Sequence, residues 1–282
     1  MYPINNIIEH HFVREPSRIV KLTGGDINEV YQAFLPEKSV VIKINNNQSL
    51  PQLFEKEKQG LALLSNSTFI VPKPIKIGSI DDTPFLILDY IEQGNSLNWA
   101  VFGDKLAQLH QIEGKYFGLD HDNYIGSLEQ VNQQCGAWSE FYTNHRLLGL
   151  TAKARNQGLF EKKHCIWVEK LCHRLDELIP TCKPSLIHGD LWSGNLLIHT
   201  SGHPALIDPA VYFGHPEMDW AMLSLFGSYP EEAMDGYLNV NPLEKGLNER
   251  MDVHQLYPLL VHLILFGKGY LSGIESTLKK YA

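Results

Sequence analysis

The sequence predicts an α+β chain in two parts: a small β-rich N-terminal lobe, residues 1–91, and a larger, mainly helical lobe, residues 92–282. Three observations carry this expectation. Short β-branched runs separated by turns fill the first part, helical periodicity takes over after Gln93-Gly94-Asn95-Ser96, and one strand-turn-strand segment near residues 185–207 interrupts the helical part. At 282 residues the chain can build two sub-domains, and 44% apolar with 20% charged residues is ordinary globular usage.

In order, Ile19–Leu22 and Val30–Leu35 read as strands around the turn-rich Thr23-Gly24-Gly25-Asp26-Ile27-Asn28, and Ser39–Ile44 follows as a third. Gln52–Leu64 places Leu53, Leu61 and Leu64 among Glu, Lys and Gln and reads as a helix, which Val71-Pro72-Lys73-Pro74 stops. Phe85–Leu88 resumes as a buried strand, and the border between the parts falls at Asp89–Gly94. Asp104–Ile112, with Leu106 and Leu109 on one face, and Trp138–Leu150 read as helices. Strand character returns at Ser185–His188, then at Leu196–His199 and Ala205–Ile207 around the turn Thr200-Ser201-Gly202-His203. Leu256–Phe266 is the most apolar stretch, but Pro258, His262 and its shortness make it a buried helix, with no membrane role.

A net charge of −8 with no Lys/Arg cluster argues against nucleic-acid binding, whereas a small anion needs only a local positive pocket. The segment Met1–His11 lacks the pattern of a signal peptide. Cys135, Cys165, Cys172 and Cys182 form no CxxC pair, as expected of reduced thiols in a cytoplasmic protein. No obligate protein partner is evident.

The strongest motif is His188-Gly189-Asp190-Leu191-Trp192-Ser193-Gly194-Asn195, followed after the hairpin by Leu206-Ile207-Asp208-Pro209. Phosphoryl transfer requires a carboxylate near the attacking hydroxyl and oxygen ligands for magnesium. Asp190 suits the first role, Asn195 and Asp208 the second, and Asn follows the expected base by five positions, as in a kinase catalytic loop. Lys43 ends the otherwise apolar run Val40-Val41-Ile42, where it can grip the α- and β-phosphates of ATP, with a helix Glu to hold it. Glu57 is expected in that role over Glu55, since its spacing from Leu61 and Leu64 sets it near their inward stripe. Gly24 and Gly25 precede the Lys strand as a nucleotide lid, and no Walker sequence is present. Asp89, Tyr90 and Ile91 link the two parts and offer backbone groups to an adenine edge, though a plain linker would read the same way. Trp192 either packs a sugar face or fills core, and His110 and His188 read as structural, with no second ligand at zinc spacing.

At these motifs the chain resembles the fructosamine kinase (ketosamine-3-kinase) family, a branch of the two-lobed protein-kinase-like fold near aminoglycoside phosphotransferases and choline kinases. The likeness also runs through Phe117-Gly118-Leu119-Asp120, Gln130-Val131-Asn132, Trp138 with Phe141-Tyr142, Arg146-Leu147, Ile207-Asp208-Pro209-Ala210, Tyr212 to Asp219 and Phe266 to Tyr270. The resemblance implies ATP- and Mg2+-dependent phosphorylation of the 3-hydroxyl of a ketosamine, either a small molecule or a glycated protein lysine, in a deglycation role. Same-fold alternatives are kinases of an aminoglycoside or amino-alcohol, and a non-catalytic nucleotide-binding module is a further one. For the substrate pocket the sequence offers Trp192, Asp219 and Trp138 with its aromatic neighbours. Two departures from the family pattern involve three positions. Asp26 stands where some relatives carry a redox-active Cys, so thiol switching is not implied, and Val261 and Ile264 stand where late-helix Asn residues are expected, so substrate contacts from that helix are not implied either.

Overall fold

The computed structural model describes residues 3–12, 15–22, 28–45, 47, 50 and 52–281, so the expected lid glycines Gly24 and Gly25 lie outside the described residues. The chain forms two compact units: one comprises Met1–Asn98 with Gly194–Pro209, the other Trp99–Ser193 with Ala210–Ala282. A sheet-rich N-terminal unit and a helical remainder make the two-lobed, protein-kinase-like fold. The division differs from 1–91 and 92–282 in two respects: the first stretch runs on to Asn98, and a later segment, Gly194–Pro209, joins it. The hairpin of Leu196–Ile198 and Pro204–Leu206 joins the first unit, because Gly94 N donates to Ile198 O at 2.7 Å, Thr200 N to Glu92 O at 3.1 Å, and Ile70 bridges Ala205.

The first unit is built on five antiparallel strands, β1 (Arg18–Leu22), β2 (Glu29–Phe34), β3 (Ser39–Ile44), β4 (Pro74–Ile80) and β5 (Thr83–Asp89), in the order β1-β2-β3-β5-β4. Side chains alternate between the sheet faces. Val40, Ile42 and Ile44 of β3 with Phe85 and Ile87 of β5 bury against Ile4, Ile7 and Ile8 of helix α1 (Pro3–His11). On the opposite face Leu86 and Leu88 bury against Phe54 and Leu61 of α2 (Leu53–Leu64), with Val41 packed alongside. Lys43, one residue out of phase with Ile42 and Ile44, therefore projects toward α2. Neither α1 nor β4 is among the expected elements. The i, i+3, i+4 spacing of Ile4, Ile7 and Ile8 is the signal for α1, while Pro74 masks β4, an edge strand whose register shifts between Pro74 and Lys76.

In the second unit, helix α3 (Trp99–His110) begins five residues before the expected Asp104 and crosses the helix Glu231–Leu238 backbone to backbone. A Cβ on Gly103 would collide with Ala233 O, and one on Gly236 with Ala100 O, so two glycines permit the approach. The expected helix at Trp138–Leu150 is a longer helical run, Trp138–Asn156, whose middle, Tyr142–Leu148, is π-helical and turns Tyr142, Arg146 and Leu147 inward. The late helix extends from Leu247 to Phe266 around Pro258, and among the described residues no helix is long and apolar enough to cross a membrane. Strand Ser185–Ile187 pairs with Tyr212–Gly214.

Candidate active site

In the first unit the sheet and the hairpin assemble a charged cluster. Lys43 Nζ donates to Glu57 Oε1 at 2.6 Å and also to Asp208 Oδ1, while Glu55 is exposed. The preference for Glu57 follows from the α2 face that Leu61 and Leu64 share. Lys43 is 4% exposed. Burial works against its charge, yet the carboxylates of Asp208 and Glu57 outweigh burial and hold the ammonium above its ordinary range. Burial likewise pushes Glu57 up against the pull of Lys43, with Asp208 adding to the rise. One ammonium thus serves two carboxylates.

The hairpin places the two expected metal ligands. Leu196 pairs with Leu206, and Ile207 N donates to Asn195 O at 3.1 Å, so Asn195 and Asp208 fall at the same open end. Asp208 sits in the left-handed region at φ 53°, a backbone state that short polar Asp tolerates better than most side chains. Its side chain is 42% exposed. Oxygen donors from an amide and a carboxylate fit a hard cation such as magnesium. At the end of β5, Asp89 N donates to Lys73 O at 3.0 Å and its carboxylate accepts from Lys38 at 2.7 Å.

The second unit carries Asp190. Strand Ser185–Ile187 delivers the chain to His188 and Gly189, whose φ of +80° is open to glycine because a Cβ there would collide with Ala210 O. His188 N and Gly189 N both donate to the Asp219 carboxylate, at 2.7 and 2.9 Å, and His110 Nε2 approaches Asp219 Oδ2 at 3.2 Å. On the far side of its ring, His110 Nδ1 lies 2.8 Å from the Tyr237 hydroxyl oxygen, which accepts from Asn241 Nδ2. Burial would raise the Asp219 carboxyl, but the His110 hydrogen bond, with the charge of His110 and His188, holds it below the ordinary range.

Two expected substrate residues are corrected by this geometry. Asp219 is 0% exposed, with both oxygens committed to the loop that carries Asp190, so it positions that loop rather than meeting an amine. Trp138 is buried because its ring packs into an aromatic core, stacked on Tyr142 at 5.1 Å and tilted against Phe117 and His215. Trp192 stays partly exposed two residues past Asp190. His110 is structural, as expected.

Sequence reasoning missed a buried cluster of His215, Glu217 and His254, whose ligand-type atoms lie within 4.8 Å of one another. Arg250 makes a two-pronged contact with Glu217, Nε to Oε2 at 2.7 Å and Nη2 to Oε1, and His254 Nε2 takes Oε2 at 3.0 Å. With a guanidinium already neutralising the carboxylate, the cluster is an ion-pair network, not a cation site. Burial and then His254 push His215 down to about 3, against Glu217. Burial favours a higher Glu217 value, but the bonds from Arg250 and His254 hold it down at about 2.

A family model described as fructosamine kinase matches residues 3–282. Over 273 residues the chain is 38% identical to a probable ketoamine kinase of Synechocystis sp., spanning 94% of this chain and 92% of that one. It is 34% identical over 274 residues to a chloroplastic protein-ribulosamine 3-kinase of Arabidopsis thaliana, spanning 94% and 82%. A solved structure from Thermobifida fusca, described as a "putative fructosamine-3-kinase", matches with a TM-score of 0.85 at 32% identity, covering 97% of this chain and 96% of that one.

Proposed function

We propose, for a chain that belongs to the fructosamine kinase family, that it phosphorylates ketosamines at the 3-hydroxyl with ATP as donor. It is an ATP-dependent phosphotransferase with an alcohol acceptor, and the substrate class follows from the family and from relatives named for ketoamines and protein-ribulosamine. The observation that carries the chemistry is the buried Lys43, held charged between Glu57 and Asp208. Such a cation is a partner for the α- and β-phosphates of ATP.

In this reading Asp190 accepts or orients the proton of the attacking hydroxyl, while Asp219 and Gly189 fix the loop that presents it. Asn195 and Asp208 hold magnesium, which when bound supplies charge neutralisation to the phosphates. Nucleotide binding belongs to the β-rich unit, with the lid residues Gly24 and Gly25 and the backbone of Tyr90 and Ile91 as further contacts. Trp192 supplies an aromatic face for the sugar. Fructose- or ribulose-modified lysine, free or in protein, in a cytoplasmic deglycation setting, is the preferred substrate.

The test compares kcat/KM across ketosamines, free ketoses, aminoglycosides and choline, with the phosphate position assigned by NMR. The expected result is clear preference for a ketosamine with phosphate on the 3-hydroxyl. Preference for any of the other acceptors would overturn the substrate assignment while leaving the kinase fold intact.

A further inference from the structure

The family-like block Gln130-Val131-Asn132 and Arg146 has no part in the chemistry above, yet it folds into a continuous buried network in the second unit. Asn123, Gln130, Asn132, Arg146 and Tyr257 are all buried, with Arg146 at 0% exposure. Among the described residues no carboxylate forms an ion pair with Arg146. Its guanidinium lies 4.0 Å from the Tyr212 ring centroid and 4.5 Å from that of Phe141, and it donates to Val131 O at 2.6 Å, His145 O at 3.0 Å and Asn132 Oδ1 at 2.7 Å. A fully desolvated cation is costly to keep, so what it orders needs an explanation.

What it orders is the polarity of three side-chain amides. A guanidinium only donates, so Asn132 must turn its oxygen toward Arg146 and its NH2 toward Asn123 Oδ1, 2.8 Å away. Asn123, with its oxygen thus engaged, must present its NH2 to Val211 O at 2.9 Å. A second donor closes the other end. The Tyr257 hydroxyl donates to Gln130 Oε1 at 2.6 Å, which aims the Gln130 NH2 at Asn123 Oδ1, 2.8 Å, and Ala210 O, 3.0 Å. Burial, with Tyr212 and Asp190 acting in the same direction against Arg146, keeps that hydroxyl protonated and therefore a donor.

Ala210 is the residue that meets the Asp190 loop. Its N–H donates to His188 O at 3.0 Å, and its carbonyl occupies the space a Gly189 side chain would need. The pair His188-Gly189 is thereby held from two sides, its N–H groups by Asp219 and its carbonyl side by Ala210. Turned over, Asn132 would set its oxygen against Asn123 Oδ1, Asn123 would set its own against Val211 O, and Gln130 against Ala210 O, each at the cost of a buried unmade bond.

We propose that Arg146 and Tyr257 are positioning residues for Asp190: as the two donor ends of an amide network that converges on Asn123 through Asn132 and Gln130, they fix the Ala210 backbone against His188-Gly189. The inference rests on the reading of Asp190 as the base.

The experiment measures kcat and both KM values for Tyr257→Phe, Arg146→Lys, their combination and Asp190→Asn, at a temperature where circular dichroism shows each folded. Tyr257→Phe removes one neutral hydrogen bond, so kcat is expected to fall about two- to tenfold with KM for ATP within about twofold. The combined variant should lose less than the product of the single losses, since both act on one network. Unchanged kcat in folded Tyr257→Phe, with only the melting temperature lowered, overturns the proposal, and this variant decides alone if Arg146→Lys does not fold. Wild-type turnover in Asp190→Asn would instead overturn the reading of the base. An inactive Asp190→Asn beside an unimpaired Tyr257→Phe rejects the positioning role and leaves the base standing.

Discussion

Replacing Asp219 by Asn tests how the Asp190 loop is held. The carboxylate is fully buried and accepts from two backbone N–H groups and one imidazole nitrogen, at 2.7, 2.9 and 3.2 Å. An amide keeps one oxygen. Placed at the Oδ2 position, that oxygen retains His188 and His110, and the NH2 then confronts Gly189 N–H. The opposite orientation orphans His188 N–H instead. Either way one buried backbone donor loses its acceptor, at about 1–3 kcal/mol, and the surviving bonds lose their charge assistance, adding roughly 1 kcal/mol. A total of about 2–4 kcal/mol corresponds to a fall in Tm of about 4–16 °C for a chain of this size class. Because the orphaned group lies one or two residues from Asp190, kcat should fall at least tenfold below the melting transition, while KM for ATP stays near wild type. Differential scanning calorimetry and steady-state kinetics read both quantities. An Asn variant that melts and turns over like wild type would show that the loop does not depend on this carboxylate.

Gly103→Ala places a methyl group against Ala233 O, a main-chain atom that cannot rotate aside, so the helix pair must part and Tm should drop by several degrees, as measured by thermal unfolding. Stability should also fall steeply with acid. His215 has a folded value of about 3 against 6.5 unfolded, and Glu217 about 2 against 4.5. In both cases the unfolded chain binds the extra proton, so stability is complete above about pH 6.5 and is lost as pH falls toward 2. Urea unfolding between pH 7.5 and 4 checks this, and His215→Gln should flatten the slope between 6.5 and 4; an identical slope in wild type and variant would refute the assignment.

The parts of the site legible in the sequence are those set by short spacing. Lys43 stands out because strand alternation makes a cation in an apolar run conspicuous, Glu57 because helix geometry ties it to Leu61 and Leu64, and Asn195 with Asp208 because one hairpin separates them. Asp219 was visible as a carboxylate but not as a buried one. Its partners His188 and His110 lie 31 and 109 residues away, and only the tertiary fold reveals that they consume its oxygens. Arg146 stood in the motif block without a task for the same reason, since its effect passes through amides whose orientation is a property of the assembled network. Trp138 is offered by the sequence as a pocket wall because an aromatic block does not show whether its rings face a pocket or one another, and here they pack together in the core.

The hairpin at residues 196–206 has a consequence for synthesis. Its partners Ile70, Glu92 and Gly94 leave the ribosome about a hundred residues earlier, which at roughly 5–20 residues per second is several seconds of waiting. During that interval the nascent sheet has Lys43 and Glu57 but not Asp208, so the buried ammonium is balanced by a single carboxylate and the sheet's contact with residues 70 and 92–94 is still to be made. The N-terminal unit is therefore discontinuous in time as well as in sequence. A nascent chain arrested before residue 196 should be far more open to protease near Ile70 than one arrested after Pro209, although every strand of the five-stranded sheet is already present in both.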